Sequence, residues 1–328
     1  MTQDAALLGE LRRATVHVPR TELAALLRTD TTAIVKRIDE LRAAGFEIDE
    51  QPVLGYRLVK SPDRLIADDL RARLGPSAFI RDILVFEETD STNQRAIQLG
   101  ETGAAGGVAI FAERQTAGRG RFGRRWESAS HLGLWFSLLL RPTLPLAMWS
   151  RLTTWAAVVA AEAIEECSGL SIAVKWPNDL ELDGRKLAGI LIETTPDSAG
   201  GHFAVVGVGV NVNHDTDNFP PDLRDRATSL RLATRRFIDR GALAAAILHA
   251  MTRRAADIGD AGFPALLDAA RRRSSLIGRH IALECAGTRI EGRAEDLAPD
   301  GRLQLRLASG ELETVGAGEA TIVPEPRC

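Results

Sequence analysis

Between Val205 and Asn213 the chain writes a different surface onto each side of a strand. Val206, Val208, Val210 and Val212 fall on one face; Gly207, Gly209, Asn211 and Asn213 fall on the other. Side chains of an extended strand alternate sides, so one face is an apolar stripe and the other is bare backbone ending in carboxamides. The valines require a core beneath them. Glycine weakens a strand unless something must approach its backbone closely. The bare face is therefore either a floor for a ligand or a seat for another stretch of backbone.

Around this strand, residues 65–273 mix further strands with alanine-rich helices. Ile83 to Phe86, Val108 to Glu113, Leu132 to Leu140, Ile172 to Trp176 and Phe203 to Val210 read as strands. One helix runs from about Ser150 to Glu166 and buries Trp155, Val159 and Ala163. Such interleaving indicates an α+β or α/β domain. Residues 1–64 read as three helices and a hairpin. Leu7, Leu8 and Leu11 mark the first helix and Thr21 to Leu27 the second; Asp30 caps a third that places Ile34, Ile38 and Leu41 on one face. Gly45 ends it, and Phe46 to Ile48 and Tyr56 to Val59 flank a turn containing Gly55. This is the order of a winged helix-turn-helix, whose recognition helix would turn Thr31, Thr32, Lys36 and Arg37 outward to DNA. The same segment holds ten basic and ten acidic side chains. Phosphate neutralisation usually dominates DNA affinity, so a protein-contact or inert appendage is the competing reading. Ser61-Pro62-Asp63 reads as a linker. After Leu276, short β segments (His280 to Glu284, Thr288 to Ala294, Leu303 to Leu307, Glu311 to Val315) indicate a small barrel over 274–328.

Bulk properties narrow the class. A length of 328 residues suits two or three domains, and a formal charge of -3 confines any nucleic-acid contact to a local patch. No apolar run approaches the roughly 18 residues of a membrane span. The start, Met1-Thr2-Gln3-Asp4, lacks a signal peptide's charged and apolar regions. Cys167, Cys285 and Cys328 have no metal spacing and read as inert thiols of a reducing cytoplasm.

Arg114 to Trp126 packs five arginines and three glycines into thirteen positions without a carboxylate. Forked guanidinium donors on a bendable backbone suit phosphates and carboxylates, whereas the bland reading is a solvated loop. Gly118 to Gly123 satisfies G-x-G-x-x-G, but no helix follows it, which excludes the dinucleotide fold. No P-loop exists either. Pro177 stops a strand, leaving Lys175, Asn178 and Asp179 at its end, and an Asp183-Gly184 turn returns Lys186 towards them. That set suits a polyphosphate with its metal ion; surface ion pairs beside a hairpin are the alternative. Asp90-Ser91-Thr92-Asn93 opens a helix, either as a cap or as donors to a small polar ligand.

In this order and spacing, these elements resemble the biotin–protein ligases of the bifunctional, operon-repressing bacterial type, over essentially the whole chain. The resemblance implies an α+β protein: a winged helix-turn-helix (1–64), a class II synthetase-like α/β ligase domain (65–273) and an SH3-like β-barrel (274–328). It implies adenylation of the biotin carboxylate by ATP with Mg²⁺, then transfer to a lysine of the biotin carboxyl carrier protein of acetyl-CoA carboxylase. Ser91, Thr92, Asn93, Gln115, Gly118, Gly120, Gly189, Gly207 and Gly209 would surround biotin. Arg119 and Arg121 would clamp its carboxylate and the phosphate, and Lys186 would neutralise charge between them. Trp126, Lys175, Asn178, Asp179 and Asn211 would hold ATP, with Asp179 at the metal and beside the attacking lysine. Biotin-operon DNA, a ligand-linked homodimer and a cytoplasmic location, with no membrane contact, complete the expectation. The lipoate ligases share the central fold, but their arginine-glycine-glycine signature is absent. A ligand-sensing regulator without ligase activity, and a ligase whose winged helix no longer binds DNA, are the alternatives.

Overall fold

The structure is a computed structural model that describes residues 2–197, 200–285 and 287–324. Cys328 lies outside the described residues. Three helices come first: α1 (Gln3–Arg13), α2 (Arg20–Leu27) and α3 (Thr31–Ala43), followed by the hairpin β1 (Glu47–Gln51) and β2 (Gly55–Lys60). Asp30 caps α3 by accepting from the Ala33 amide at 2.8 Å. Leu7, Leu11, Leu23, Ile34, Ile38, Phe46 and Tyr56 close one core. Gly55 sits at φ +100°, and a Cβ there would lie 1.9 Å from the Val18 carbonyl oxygen. Only glycine lets Val18 exchange both backbone hydrogen bonds with Tyr56.

The central part adds α4 (Ala67–Leu74), β3 (Asp82–Thr89), α5 (Thr92–Glu101), β4 (Val108–Gln115), β5 (Gly133–Leu140), α6 (Arg151–Ser168), β6 (Ala173–Lys175), β7 (Asp179–Leu182), β8 (Arg185–Pro196), β9 (His202–Asn211), α7 (Leu230–Thr234), α8 (Arg240–Arg253) and α9 (Phe263–Arg273). Its seven strands run in the order β3-β4-β5-β9-β8-β7-β6. Only β3 and β4 are parallel. Val206, Val208 and Val210 face the main core with Trp155, Val159 and Leu248 of α6 and α8. On the opposite face, Phe203 and Val205 pack under Ala96 of α5. Beyond Val205 that face becomes glycine, so α5 covers one end of the sheet and leaves the other open. Asn213, expected among the carboxamides of the bare face, lies past the strand. It is buried and trades hydrogen bonds with the Ile238 backbone (Nδ2 donating at 2.9 Å, Oδ1 accepting at 3.0 Å).

The last unit is a five-stranded antiparallel sheet of β10 (His280–Cys285), β11 (Thr288–Leu297), β12 (Leu303–Arg306), β13 (Leu312–Val315) and β14 (Glu319–Ile322), ordered β13-β12-β11-β10-β14. β14 was not among the expected strands, because four residues carry too short an alternation to read. Ile281, Leu283 and Leu305 share one continuous core with α9 and the central sheet. The Trp176 indole donates to the Gly301 carbonyl at 3.1 Å.

The expected linker at 61–63 is tied down. Arg240, fully buried, donates to Glu113 Oε2 at 2.6 Å, Gly133 O at 3.1 Å, and both Asp63 Oδ1 (3.0 Å) and Asp63 O (2.9 Å). The Leu65 amide donates to the other Glu113 oxygen at 2.6 Å. A buried cation is tolerable only when matched this fully. Among the described residues no helix is long and apolar enough to cross a membrane.

Candidate active site

A cavity of about 990 Å³ opens over the glycine face of β8 and β9. Gly189 and Gly209 are cross-strand partners, and the Trp126 ring lies across both; a Cβ on either would come within 2.8 Å of it. Gly207 makes room for Asn93, whose Oδ1 would lie 2.2 Å from a Cβ there. The floor is thus built for two close side chains before any ligand arrives.

Six polar side chains at one end form a single hydrogen-bonded chain. The Thr92 amide and hydroxyl donate to Gln115 Oε1 at 2.8 and 3.1 Å, and Gln115 Nε2 donates to Ser128 Oγ at 2.9 Å. Ser137, a lone hydroxyl inside an otherwise apolar strand, contacts Thr92 Oγ1 (2.7 Å) and Asn93 Oδ1 (2.5 Å). Asn93 Nδ2 donates to Glu193 at 2.8 Å. Ser91 begins α5 without a side-chain cap bond, so its hydroxyl is not committed to the helix; it lines the cavity.

The arginine loop crosses above. It contains one short turn, Arg121–Gly123, and no longer helix. Its charges are matched by carboxylates from elsewhere: Arg114 by Glu88 (2.7 Å), Arg119 by Glu193 (2.7 Å), Arg124 by Glu319, and Arg125 by Glu127 (3.4 Å). Arg121 differs. Its hydrogen bonds go to neutral oxygens, Asn178 Oδ1 at 2.9 Å and Gly318 O at 3.2 Å. Burial pulls its pKa down, against the opposing charges of Asp179 and Glu319. A partly desolvated guanidinium of this kind gains from an anion brought beside it. Of the residues expected around biotin and ATP, Gly118 is the one outside the cavity lining. It is buried within the loop, where a Cβ would lie 2.4 Å from the Trp126 carbonyl oxygen, so it shapes the loop.

Opposite the loop, Lys175 and Asp179 pair across the β6–β7 turn, which contains the cis Trp176–Pro177 bond. Lys186 Nζ lies 2.7 Å from Asp179 Oδ1, an ion pair whose alignment falls short of a hydrogen bond. It also lies 5.2 Å from the centre of a Trp126 ring. Lys175 pairs with Glu181 at 3.3 Å. Gly120 and Asn211 line the same cavity, and Asn211 Nδ2 approaches Lys186 O at 3.5 Å. Among the described residues no group of three His, Cys, Asp or Glu could hold a metal unaided. Asp179 supplies one carboxylate, which fits a Mg²⁺ that takes its remaining ligands from phosphate and water.

Sequence reasoning did not single out Ser137, Glu193, His214 or Glu319. A hydroxyl and a carboxylate inside apolar strands were readable signals for the first two. Nothing local marks Glu319, whose partner is 195 positions away.

On α3, Thr31 and Thr32 are exposed and Lys36 faces solvent beside Glu40 (3.8 Å). Arg37, expected to point outward, turns back instead. It donates to Asp4 at 2.5 Å and to Gln3, because its position on α3 overlooks the N-terminus of α1.

Comparison with known proteins agrees with this geometry. Residues 85–211 match the biotin/lipoate A/B protein ligase family, and residues 276–322 match the biotin protein ligase C terminal domain. The chain is 34% identical over 279 residues to the bifunctional ligase/repressor BirA of Bacillus subtilis, covering 85% of this chain and 86% of that protein. It is 33% identical over 267 residues to the biotin–[acetyl-CoA-carboxylase] ligase of Mycobacterium tuberculosis, covering 78% and 94%. Among solved structures it resembles the biotin protein ligase of Aquifex aeolicus in complex with biotin and ATP, with TM-score 0.65 and 28% identity over 74% of this chain and 99% of that one. On these grounds the chain belongs to the biotin/lipoate A/B protein ligase family.

Proposed function

We propose that the protein is an ATP-dependent biotin–protein ligase. A biotin carboxylate oxygen attacks the α-phosphorus of ATP, pyrophosphate leaves, and biotinyl-5′-AMP forms. The amine of a carrier lysine then attacks the acyl carbon and AMP departs. The observation that carries this reading is the gathering of Arg119, Arg121, Lys186 and Asp179 on the lining of one glycine-floored cavity. Carboxylate and triphosphate repel, so the site must suppress that charge and align the two. Arg119 and Arg121 serve the carboxylate and α-phosphate, and Lys186 stands between them. Ser91, Thr92, Asn93 and Gln115, with Gly120, Gly189, Gly207 and Gly209, form the biotin end. Trp126, Lys175, Asn178 and Asn211 form the ATP end. Asp179 would hold Mg²⁺, which would neutralise phosphate oxygens when bound, and would receive a proton from the attacking lysine.

Radiolabelled biotin incubated with Mg-ATP and a biotin carrier domain tests this directly. Label reaches the carrier with the parent protein, and Lys186→Ala loses about 100-fold or more of the rate, as when one preorganised charge-stabilising donor is removed. Binding of biotin without transfer would instead mean a sensor.

In the same reading, residues 1–64 are a winged helix that carries the ligase to biotin-operon DNA as a ligand-linked dimer. Residues 65–273 are a synthetase-like catalytic domain, 274–328 an SH3-like cap, and the setting is the cytoplasm. The inward turn of Arg37, and a hairpin tip whose Val53 is 89% exposed where a base would help, favour a second reading in which the ligase no longer binds DNA.

A further inference from the structure

The turn before β14 and the start of that strand reach the cavity and form part of its wall through Gly318, Glu319 and Ala320. The turn is built tightly against β10: Gly318 has φ +147°, and a Cβ there would lie 2.8 Å from the Leu283 side chain. From this stretch two contacts rise to the arginine loop. Gly318 O accepts from Arg121 Nη1 at 3.2 Å. Glu319 receives Arg124 on both oxygens, Nη1 to Oε1 at 2.6 Å and Nη2 to Oε2. Arg124 in turn closes the loop on itself, since the Gly120 amide donates to its carbonyl at 2.7 Å and its own amide donates to Arg121 O at 3.2 Å. Whatever holds Arg124 therefore also sets Gly120 and Arg121. Arg124 keeps the Glu319 carboxyl below its ordinary pKa, with Arg226 and Lys175 acting in the same direction, so it stays ionised at neutral pH.

We propose that Glu319 is a positioning residue that latches the arginine loop to the C-terminal sheet through Arg124, holding Arg119 and Arg121 over the cavity. This rests on the reading of that loop as the cover over the reactants. Arg124 and Glu319 are 63% and 39% exposed, so the pair adds little to global stability. Its effect falls on a short glycine-containing loop, where a small bias shifts the open population.

The loop carries trypsin sites at Arg119, Arg121, Arg124 and Arg125, which gives a readout independent of catalysis. In the full chain without ligand, Glu319→Gln is cut within 119–125 about fivefold faster than the parent, the factor that loss of one such pair gives when cleavage follows the open fraction. Glu311→Gln, at an exposed carboxylate in the β12–β13 turn, is cut at the parent rate. The exchange Arg124→Glu with Glu319→Arg regains the parent rate at the remaining sites. Equal cutting of Glu319→Gln and the parent would overturn the latch, as would an exchange variant cut as fast as Glu319→Gln. A parent that makes no adenylate yet shows this pattern would remove the ligase reading and leave the latch standing.

Discussion

At the scale of single residues, the candidate site is a set of paired charges, some with partners far away in the chain, plus one ring kept neutral. His214 lines the cavity, is 3% exposed, and stacks on Phe219 with ring centres 5.0 Å apart. Burial, reinforced by the positive charge of Arg240, pulls its pKa from 6.5 to about 4. In the unfolded chain the ring takes a proton near pH 6.5, while in the fold it resists until near pH 4. Above pH 6.5 both states are neutral and the contribution is fully present. As pH falls from there towards 4, the unfolded state binds the proton alone, and about 3 kcal/mol of stability is lost. Urea unfolding of the parent and of His214→Phe at pH 7 and pH 4.5 should show a steeper acid loss in the parent. Parallel losses would mean that other groups carry the acid sensitivity. The ring was not legible in the sequence, since one histidine beyond a strand says nothing of its burial.

At the scale of elements, the valine–glycine alternation foretold the strand, the packed face and the open face of β9, because a period of two is a property of the backbone. What approaches the glycines was left open between ligand and backbone, and the answer includes two side chains. Trp126 arrives from the arginine loop and Asn93 from α5. A Cβ at Gly207 would strike Asn93 Oδ1 and disturb its contacts with Ser137 (2.5 Å) and Glu193 (2.8 Å). Gly207→Ala should cost about 1–3 kcal/mol by overpacking and weaken biotin binding at least about tenfold, with the helix content unchanged. Calorimetric titration with biotin, beside circular dichroism, checks both; undiminished binding would free Asn93 from any part in the biotin end. Helical spacing likewise identified the buried face of α3 but not what lies beside its flank, which is how Arg37 came to be assigned outward.

At the scale of the whole molecule, three segments are locked by contacts that no local pattern announces. Arg240 ties Asp63, Glu113 and Gly133 together, so the path from the N-terminal helices into the sheet is rigidly matched. If the N-terminal unit binds DNA as proposed, a promoter fragment from a biotin-synthesis operon should be retarded in a gel when biotin and Mg-ATP are present. It should run free without them. Lys36→Ala should weaken the complex and flatten its salt dependence by about one counterion, since Lys36 is exposed and only loosely paired with Glu40 at 3.8 Å. Unchanged mobility with ligand would leave a ligase whose hairpin and α3 serve another purpose. The sequence alone determined that helices run through α1, α2, α3 and α6 and strands through β3, β4, β5 and β9, while the grouping of the arginine loop with Lys175 to Lys186 in one chemistry is what the family resemblance implied. The elements follow from backbone periodicity and local spacing. Only the tertiary structure decided which carboxylate meets which arginine, that Gly118 shapes the loop from within, and that the C-terminal sheet walls the cavity. A charge carries no address in sequence, and pairs such as Arg124 with Glu319 form only where packed sheets bring distant turns together.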